Sequence, residues 1–144
     1  MIGTTVAALE EGDVLPGLDY EVTEFLAELY QRESGWPSDT AVRGSALTPT
    51  FLHVVKVAML DQACPDGAGP VPRLHYEFAV DLIRPLRVGT TLRATGAVSS
   101  VYAKRGNRFL ELLIDVADAA TGVRLARCRD TSLLGPAETA GRAS

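Results

Sequence analysis

The stretch TPTFLHVVKVAMLDQA, residues 48–63, decides the fold. Thr48 can cap a helix with its side-chain oxygen, and Pro49 suits a first turn, where a missing N–H costs nothing. Phe51, Leu52, Val54, Val55, Val57, Ala58, Met59 and Leu60 then cover most of the helix circumference. Only His53, Lys56 and the Asp61-Gln62 end interrupt them. A helix apolar nearly all round is a buried helix. The β-branched Val54, Val55 and Val57 would also suit a strand. Length and the Thr-Pro start favour a helix from Leu47 to about Gln62, ended by Pro65, Gly67 and Gly69.

Downstream the period changes to two. Leu74, Tyr76, Phe78, Val80 and Leu82 alternate with His75, Glu77, Ala79 and Asp81, which predicts a strand with one face inward. A turn spans Arg84 to Gly89. A long strand runs from Thr91 to about Ala103, and Arg105-Gly106-Asn107 turns the chain. Phe109 to Ala117 is the next strand, with Leu110, Leu112, Ile114 and Val116 on one side. Ala120-Thr121-Gly122 leads into a last strand, Val123 to Leu134. Such a meander needs an apolar cover on one face, and the helix before it supplies one. The fold class is therefore α+β, an antiparallel sheet wrapped around a long central helix.

Upstream, Leu18 to Val22 predicts a short strand, and Thr23 a cap for a helix reaching about Arg32 through Phe25, Leu26, Leu29 and Tyr30. Ser34-Gly35-Trp36-Pro37-Ser38 breaks that helix, and an irregular loop follows to Leu47. Met1 to Leu15 has no clear period and is expected to pack loosely; Gly135 to Ser144 is expected to fray. Residues 1–144 read as one domain.

The 144 residues carry a net charge of −4, without the broad positive field that nucleic-acid binding needs. Lys104, Arg105 and Arg108 read as a solvated hairpin tip. Cys64 and Cys128 have neither CxxC spacing nor histidine partners, so no metal and no cofactor is expected, and the thiols should be reduced. No apolar run approaches the ~20 residues of a membrane span, and Glu10 and Glu11 precede any long apolar run, unlike a signal peptide. The expectation is a cytoplasmic protein with no nucleic-acid or membrane partner.

The stretch PRLHYEFAVDLIRPLRVGTTLRATGAVSSVYAKRGNRFLELLIDVADAATGVRLARCRDTSLL, residues 72–134, resembles the C-terminal sheet of MaoC-like hot-dog domains, in which an RPL-x-VG turn ends a strand and a strand with a later K/R-x-G turn follows. Arg84-Pro85-Leu86 with Val88-Gly89, and Lys104 through Gly106, carry the likeness. Thr48-Pro49-Thr50-Phe51 is similar to the start of the central helix in N-terminal-type MaoC domains, and GLDYEVTEFLAELY, residues 17–30, to their first strand and helix. The resemblance implies a hot-dog fold and kinship with hydroxyacyl dehydratases and (R)-specific enoyl-CoA hydratases. Active members carry Asp-x-Asn-Pro-x-His before the central helix, one group for the α-proton and one for the hydroxyl. The N–H groups at the helix start face the thioester oxygen. Residues 30–47, YQRESGWPSDTAVRGSAL, depart from that motif and contain no histidine.

The site expected from this resemblance is therefore a modified one. Asp39, in the loop where the family's catalytic segment runs, and His53, one turn into the helix, are the catalytic candidates. Tyr30, Trp36, Thr48, Thr50 and Phe51 are the substrate-binding candidates. His75 reads as a structural hydrogen-bonding residue and Glu33 as a weaker carboxylate. The implied substrate is an acyl thioester on coenzyme A or acyl-carrier-protein, or a polyketide-like small molecule. The implied reaction is that of a dehydratase or hydratase relative, a lyase, diverged towards cyclisation or isomerisation in natural-product biosynthesis. Holding reacting atoms close needs no Asp/His pair. The alternatives are a non-catalytic partner subunit of a heterodimeric dehydratase, and a hot-dog thioesterase. A homodimer is expected.

Overall fold

Arg105 and Gly106 both adopt positive φ, 53° and 78°, and around this tight turn β5 (Thr91–Lys104) folds back on β6 (Asn107–Asp118). β7 (Arg124–Pro136) continues the meander. The computed structural model describes residues 5–33, 41–67, 69 and 74–136, without the side chains of Leu74 and His75. The other elements are β1 (Val14–Glu21), α1 (Glu24–Glu33), β2 (Ala46–Leu47), α2 (Leu52–Ala63), β3 (Leu74–Leu82) and β4 (Leu86–Arg87). The large sheet runs β1-β5-β6-β7-β3, with every pair antiparallel, and β2 pairs with β4 in a two-stranded ribbon.

The alternation expected for the meander is observed. Leu92, Ala94 and Val98 of β5, Leu110, Leu112, Ile114 and Val116 of β6, and Ala126 and Cys128 of β7 are buried. They pack with Leu52, Val55, Met59 and Leu60 of α2. A Cβ on Gly96 would lie 3.2 Å from Met59 and 3.3 Å from Ile114, so this glycine lets the helix approach the sheet. The sheet's outer face is polar and tied across strands. Arg93 holds Asp19 through two hydrogen bonds of 2.9 and 3.0 Å, and Arg127 holds Asp115 at 3.0 Å. This is the hot-dog arrangement, a sheet wrapped around a central helix.

Several details differ from the sequence reading. The central helix begins later than Leu47: Pro49–Phe51 form a 3-10 turn and α2 starts at Leu52. Thr48 does not cap it with its side chain; its carbonyl accepts the Phe51 N–H at 3.0 Å and its hydroxyl turns to Thr50. Thr23 does cap α1, its Oγ1 accepting the Leu26 N–H at 3.1 Å. The early chain is not loose. Val6, Leu9 and Leu15 are buried, and β1 starts at Val14. Arg108, expected at a solvated tip, instead donates to the carbonyl oxygens of Ala7 at 2.6 Å and Leu9 at 3.4 Å. In β3 a bulge at Tyr76 breaks the expected alternation: His75 faces Ser132 and Glu77 faces Thr131, so Tyr76 turns outward and is 61% exposed. Gly135 and Pro136, expected to fray, extend β7 and pair with Arg108 and Asn107. The rest of that tail lies outside the described residues.

Candidate functional site

The turn into α2 gathers most of the substrate-binding candidates. Tyr30, near the end of α1, donates its hydroxyl to Thr50 Oγ1 at 2.9 Å, and Thr48 Oγ1 lies 3.1 Å from the same oxygen. Phe51 is buried between two tyrosines, its ring edge-on to Tyr20 at 5.9 Å and to Tyr30 at 5.2 Å. Aromatic rings prefer this T-shaped contact, which fixes Tyr30 and points its hydroxyl at the threonines. Tyr30, Thr48, Thr50 and Phe51 are thus brought together. Asp39 and Trp36 lie outside the described residues, as does the side chain of His75.

A cavity of about 350 Å³ opens beside this group. Leu47, Pro49, Leu82, Pro85 and Leu86 make its wall apolar, and Thr48 and Gln31 bring polar groups to it. Gln31, on the buried side of α1, was not singled out by sequence. A glutamine at the end of an amphipathic helix carries no signal of its own; only its burial, at 1% exposure, shows that it faces inward.

A second polar group lies further along α2. His53 is half-buried, edge-on to Phe78 of β3 at 5.2 Å between ring centres. Lys56, three residues on and hence on the same helix face, places Nζ 5.8 Å from the centre of that ring and 3.2 Å from Asp130 Oδ1. The two side chains of this ion pair are 1% and 0% exposed. Ser132 donates its hydroxyl to Asp130 Oδ2 at 3.3 Å. Asp130 faces Phe78 across the β3–β7 ladder, so strand register places the carboxylate over the helix. Sequence reading noted Lys56 only as an interruption and missed Asp130. Each leaves a trace: a charge inside an apolar helix, and a charge at an inward position of β7.

Asp130 acts on a third buried group. Desolvation pushes the Cys128 thiol up to about 12, and the charges of Asp130, Asp115 and Asp81 add to it. Cys64 and Cys128 are both buried and in no disulfide. Among the described residues no three histidine, cysteine or acidic side chains are placed to hold a metal ion, and no helix is long and apolar enough to cross a membrane.

Solved structures share this fold. The 3R-hydroxyacyl-ACP dehydratase complex HadBC of Mycobacterium tuberculosis matches with a TM-score of 0.71 at 12% identity, over 85% of this chain and 96% of its own. The R-hydratase PhaJ1 of Pseudomonas aeruginosa matches with a TM-score of 0.69 at 15% identity, over 92% of this chain and 86% of its own. The ChsH1-ChsH2 complex of Mycobacterium tuberculosis gives 0.65 at 13% identity, over 86% of this chain and 97% of its own. No protein-family model matches the chain, and no curated protein sequence matches it. The class these likenesses define is the hot-dog fold of MaoC-like dehydratases and (R)-hydratases.

Proposed function

We propose that this chain binds an acyl thioester or polyketide-like chain beside the start of α2, as a dehydratase or hydratase relative turned towards isomerisation or cyclisation. The cavity carries the reading. Its volume of about 350 Å³ lies in the range of small-molecule sites, and its walls suit an alkyl or polyketide chain. The Thr48 hydroxyl and the buried Gln31 amide supply the few polar groups that orient such a ligand. Two proteins of the same fold are named a 3R-hydroxyacyl-ACP dehydratase and an R-hydratase, which is chemistry on related substrates. Asp39 is the proposed carboxylate base and His53 the proposed imidazole acid or base. Tyr30, Trp36, Thr48, Thr50 and Phe51 are the proposed substrate-binding residues. Two buried cysteines outside any disulfide fit a reducing, cytoplasmic setting.

The open edge of β3 is the proposed seat of a second copy. β3 pairs with β7 alone among the described residues, and Tyr76, Leu82 and Ile83 are exposed on and just after it. A non-catalytic role beside an unlike subunit is the second reading. It is favoured by the absence of histidine in residues 30–47 and by HadBC and ChsH1-ChsH2 being complexes.

The test is turnover. Crotonyl-CoA should be hydrated little or not at all, whereas a longer polyketide-like acyl thioester should be consumed. Asp39→Asn and His53→Ala should each slow that reaction by roughly 10²-fold, the low end of general acid–base effects. Robust crotonyl-CoA hydration that survives both substitutions would overturn this reading. Binding of the longer thioester without turnover selects the partner-subunit reading.

A further inference from the structure

Three hydroxyl groups form a chain that ends on a residue of the cavity wall. Tyr30 donates its phenolic proton to Thr50 Oγ1 at 2.9 Å, and Thr50 Oγ1 lies 3.1 Å from Thr48 Oγ1. Thr48 in turn lines the cavity of about 350 Å³, beside the apolar Leu47, Pro49 and Leu86. Both ends of the chain are held by backbone and ring packing. Thr48 and Thr50 sit on the 3-10 turn Pro49–Phe51, closed by the Phe51 N–H on the Thr48 carbonyl at 3.0 Å. Leu47, just before it, is paired with Leu86. The edge-on contact of Tyr30 with Phe51 at 5.2 Å fixes the phenol.

The chain has a direction. A hydroxyl carries one proton and two acceptor sites. The Thr50 hydroxyl accepts from Tyr30, and its one other partner among the described residues is Thr48 Oγ1. The Thr50 proton therefore goes to Thr48. The Thr48 hydroxyl cannot return its own proton along that line, and among the described residues it has no further partner. One donor is thus left over on a residue that is only 9% exposed. Each bond in such a chain polarises the next, so the last hydroxyl is a strengthened donor.

We infer that Thr48 is the specificity-determining donor for a keto oxygen on the bound chain, and that Tyr30 and Thr50 are positioning residues that turn its proton to the ligand. Resting on the acyl-thioester reading above, this narrows the substrate to a chain that carries a ketone where it passes Thr48. A keto oxygen pairs with the donor, whereas a saturated chain at that point leaves the donor buried and unpaired and so binds less tightly.

The probes are two thioethers, S-(3-oxooctyl)-pantetheine and S-octyl-pantetheine, titrated calorimetrically against the full chain. The wild type should bind the ketone about 10-fold more tightly, the size of one buried hydrogen bond. Thr48→Val should bring this ratio to about 1, and Thr48→Ser should restore it. A general loss of affinity cancels in the ratio. Tyr30→Phe keeps the ring against Phe51 but lets Thr50 accept from Thr48, and it should lower the ratio at least about 2-fold. Infrared spectra of the ketone labelled with carbon-13 read the same bond. The bound C=O band should lie lower in the wild type than in Thr48→Val, which a purely structural role would not produce. A wild-type ratio near 1 overturns the donor, as does a ratio or a band that Thr48→Val leaves unchanged. A ratio unchanged by Tyr30→Phe overturns the directed chain. If neither thioether binds, the acyl-thioester reading fails by itself, and labelled 2-octanone then decides. A lowered band that Thr48→Val abolishes upholds the donor, and its absence overturns it.

Discussion

Replacing Asp130 by alanine leaves the Lys56 ammonium where only 1% of its side chain reaches solvent, 3.2 Å from where its counter-charge was. No water can take over that role without opening the contact of α2 with β3 and β7. The Phe78 ring, 5.8 Å from Nζ, gives only a weak cation–π attraction in exchange. Breaking a buried pair in this way costs about 3–5 kcal/mol, a large share of the 5–15 kcal/mol that holds a typical domain together. At roughly 2–4 °C per kcal/mol for a chain near this size, the melting temperature should fall by about 10 °C. Lys56→Met should also destabilise, because it removes the buried counter-charge of the Asp130 carboxylate. The double variant Lys56→Met, Asp130→Leu removes both charges at similar volume and should return close to the parent, since such replacements are often neutral or stabilising. Urea unfolding of the four proteins gives the coupling energy directly. Single variants that each cost under about 1 kcal/mol, with coupling near zero, would refute the reasoning, because the pair would then be behaving as a solvated one.

Two further outcomes are expected. Burial raises the Cys128 thiol from 9.0 to about 12, so above the ordinary thiol range the unfolded chain has lost a proton that the folded chain retains. Stability from this group is complete below the ordinary thiol range and is lost as pH rises from 9.0 to about 12; Cys128→Ala should flatten the alkaline limb of urea stability, and rapid iodoacetamide labelling of Cys128 in the folded protein at neutral pH would contradict the assignment. The open β3 edge should make the protein a dimer, and sedimentation should show Tyr76→Lys shifting it towards monomer; a wild-type monomer at micromolar concentration rules the edge contact out.

The meander was legible because strand period and turn chemistry agree over residues 91–134, and both signals are local. The early chain was not. Pro16 and Gly17 interrupt the alternation of β1, and the segment carrying buried Val6 and Leu9 is tied down by hydrogen bonds from Arg108 to Ala7 and Leu9, which no local pattern announces. Tyr76 fits the alternation as well as Phe78 does, and only the bulge against β7 separates them. At the site, Thr48, Thr50 and Phe51 were legible from their position at a helix start and Tyr30 as an aromatic at the end of the first helix, and the structure joins them. The Lys56–Asp130 pair needed the register of β3 on β7 and the seating of α2 on both, which are tertiary facts.

The polar groups inside the sheet are costly departures from an apolar core, and their placement is not scattered. Thr48 and Thr50 lie at the entry to α2, and His53 and Lys56 follow on it. From β7, Asp130 reaches Lys56, and Ser132 donates to Asp130. Stability alone does not account for this, because an apolar pair of similar volume at Lys56 and Asp130 would hold the helix as well or better. Local rules are characteristically broken where a site needs chemistry, while the frame around it is over-determined. Here the frame is the Arg–carboxylate ladder outside the sheet and the leucine and valine layer inside it. The interruptions in residues 48–63 therefore carry information that the apolar residues do not: the apolar circumference fixes where the helix goes, and Lys56 marks where β7 meets it with a charge.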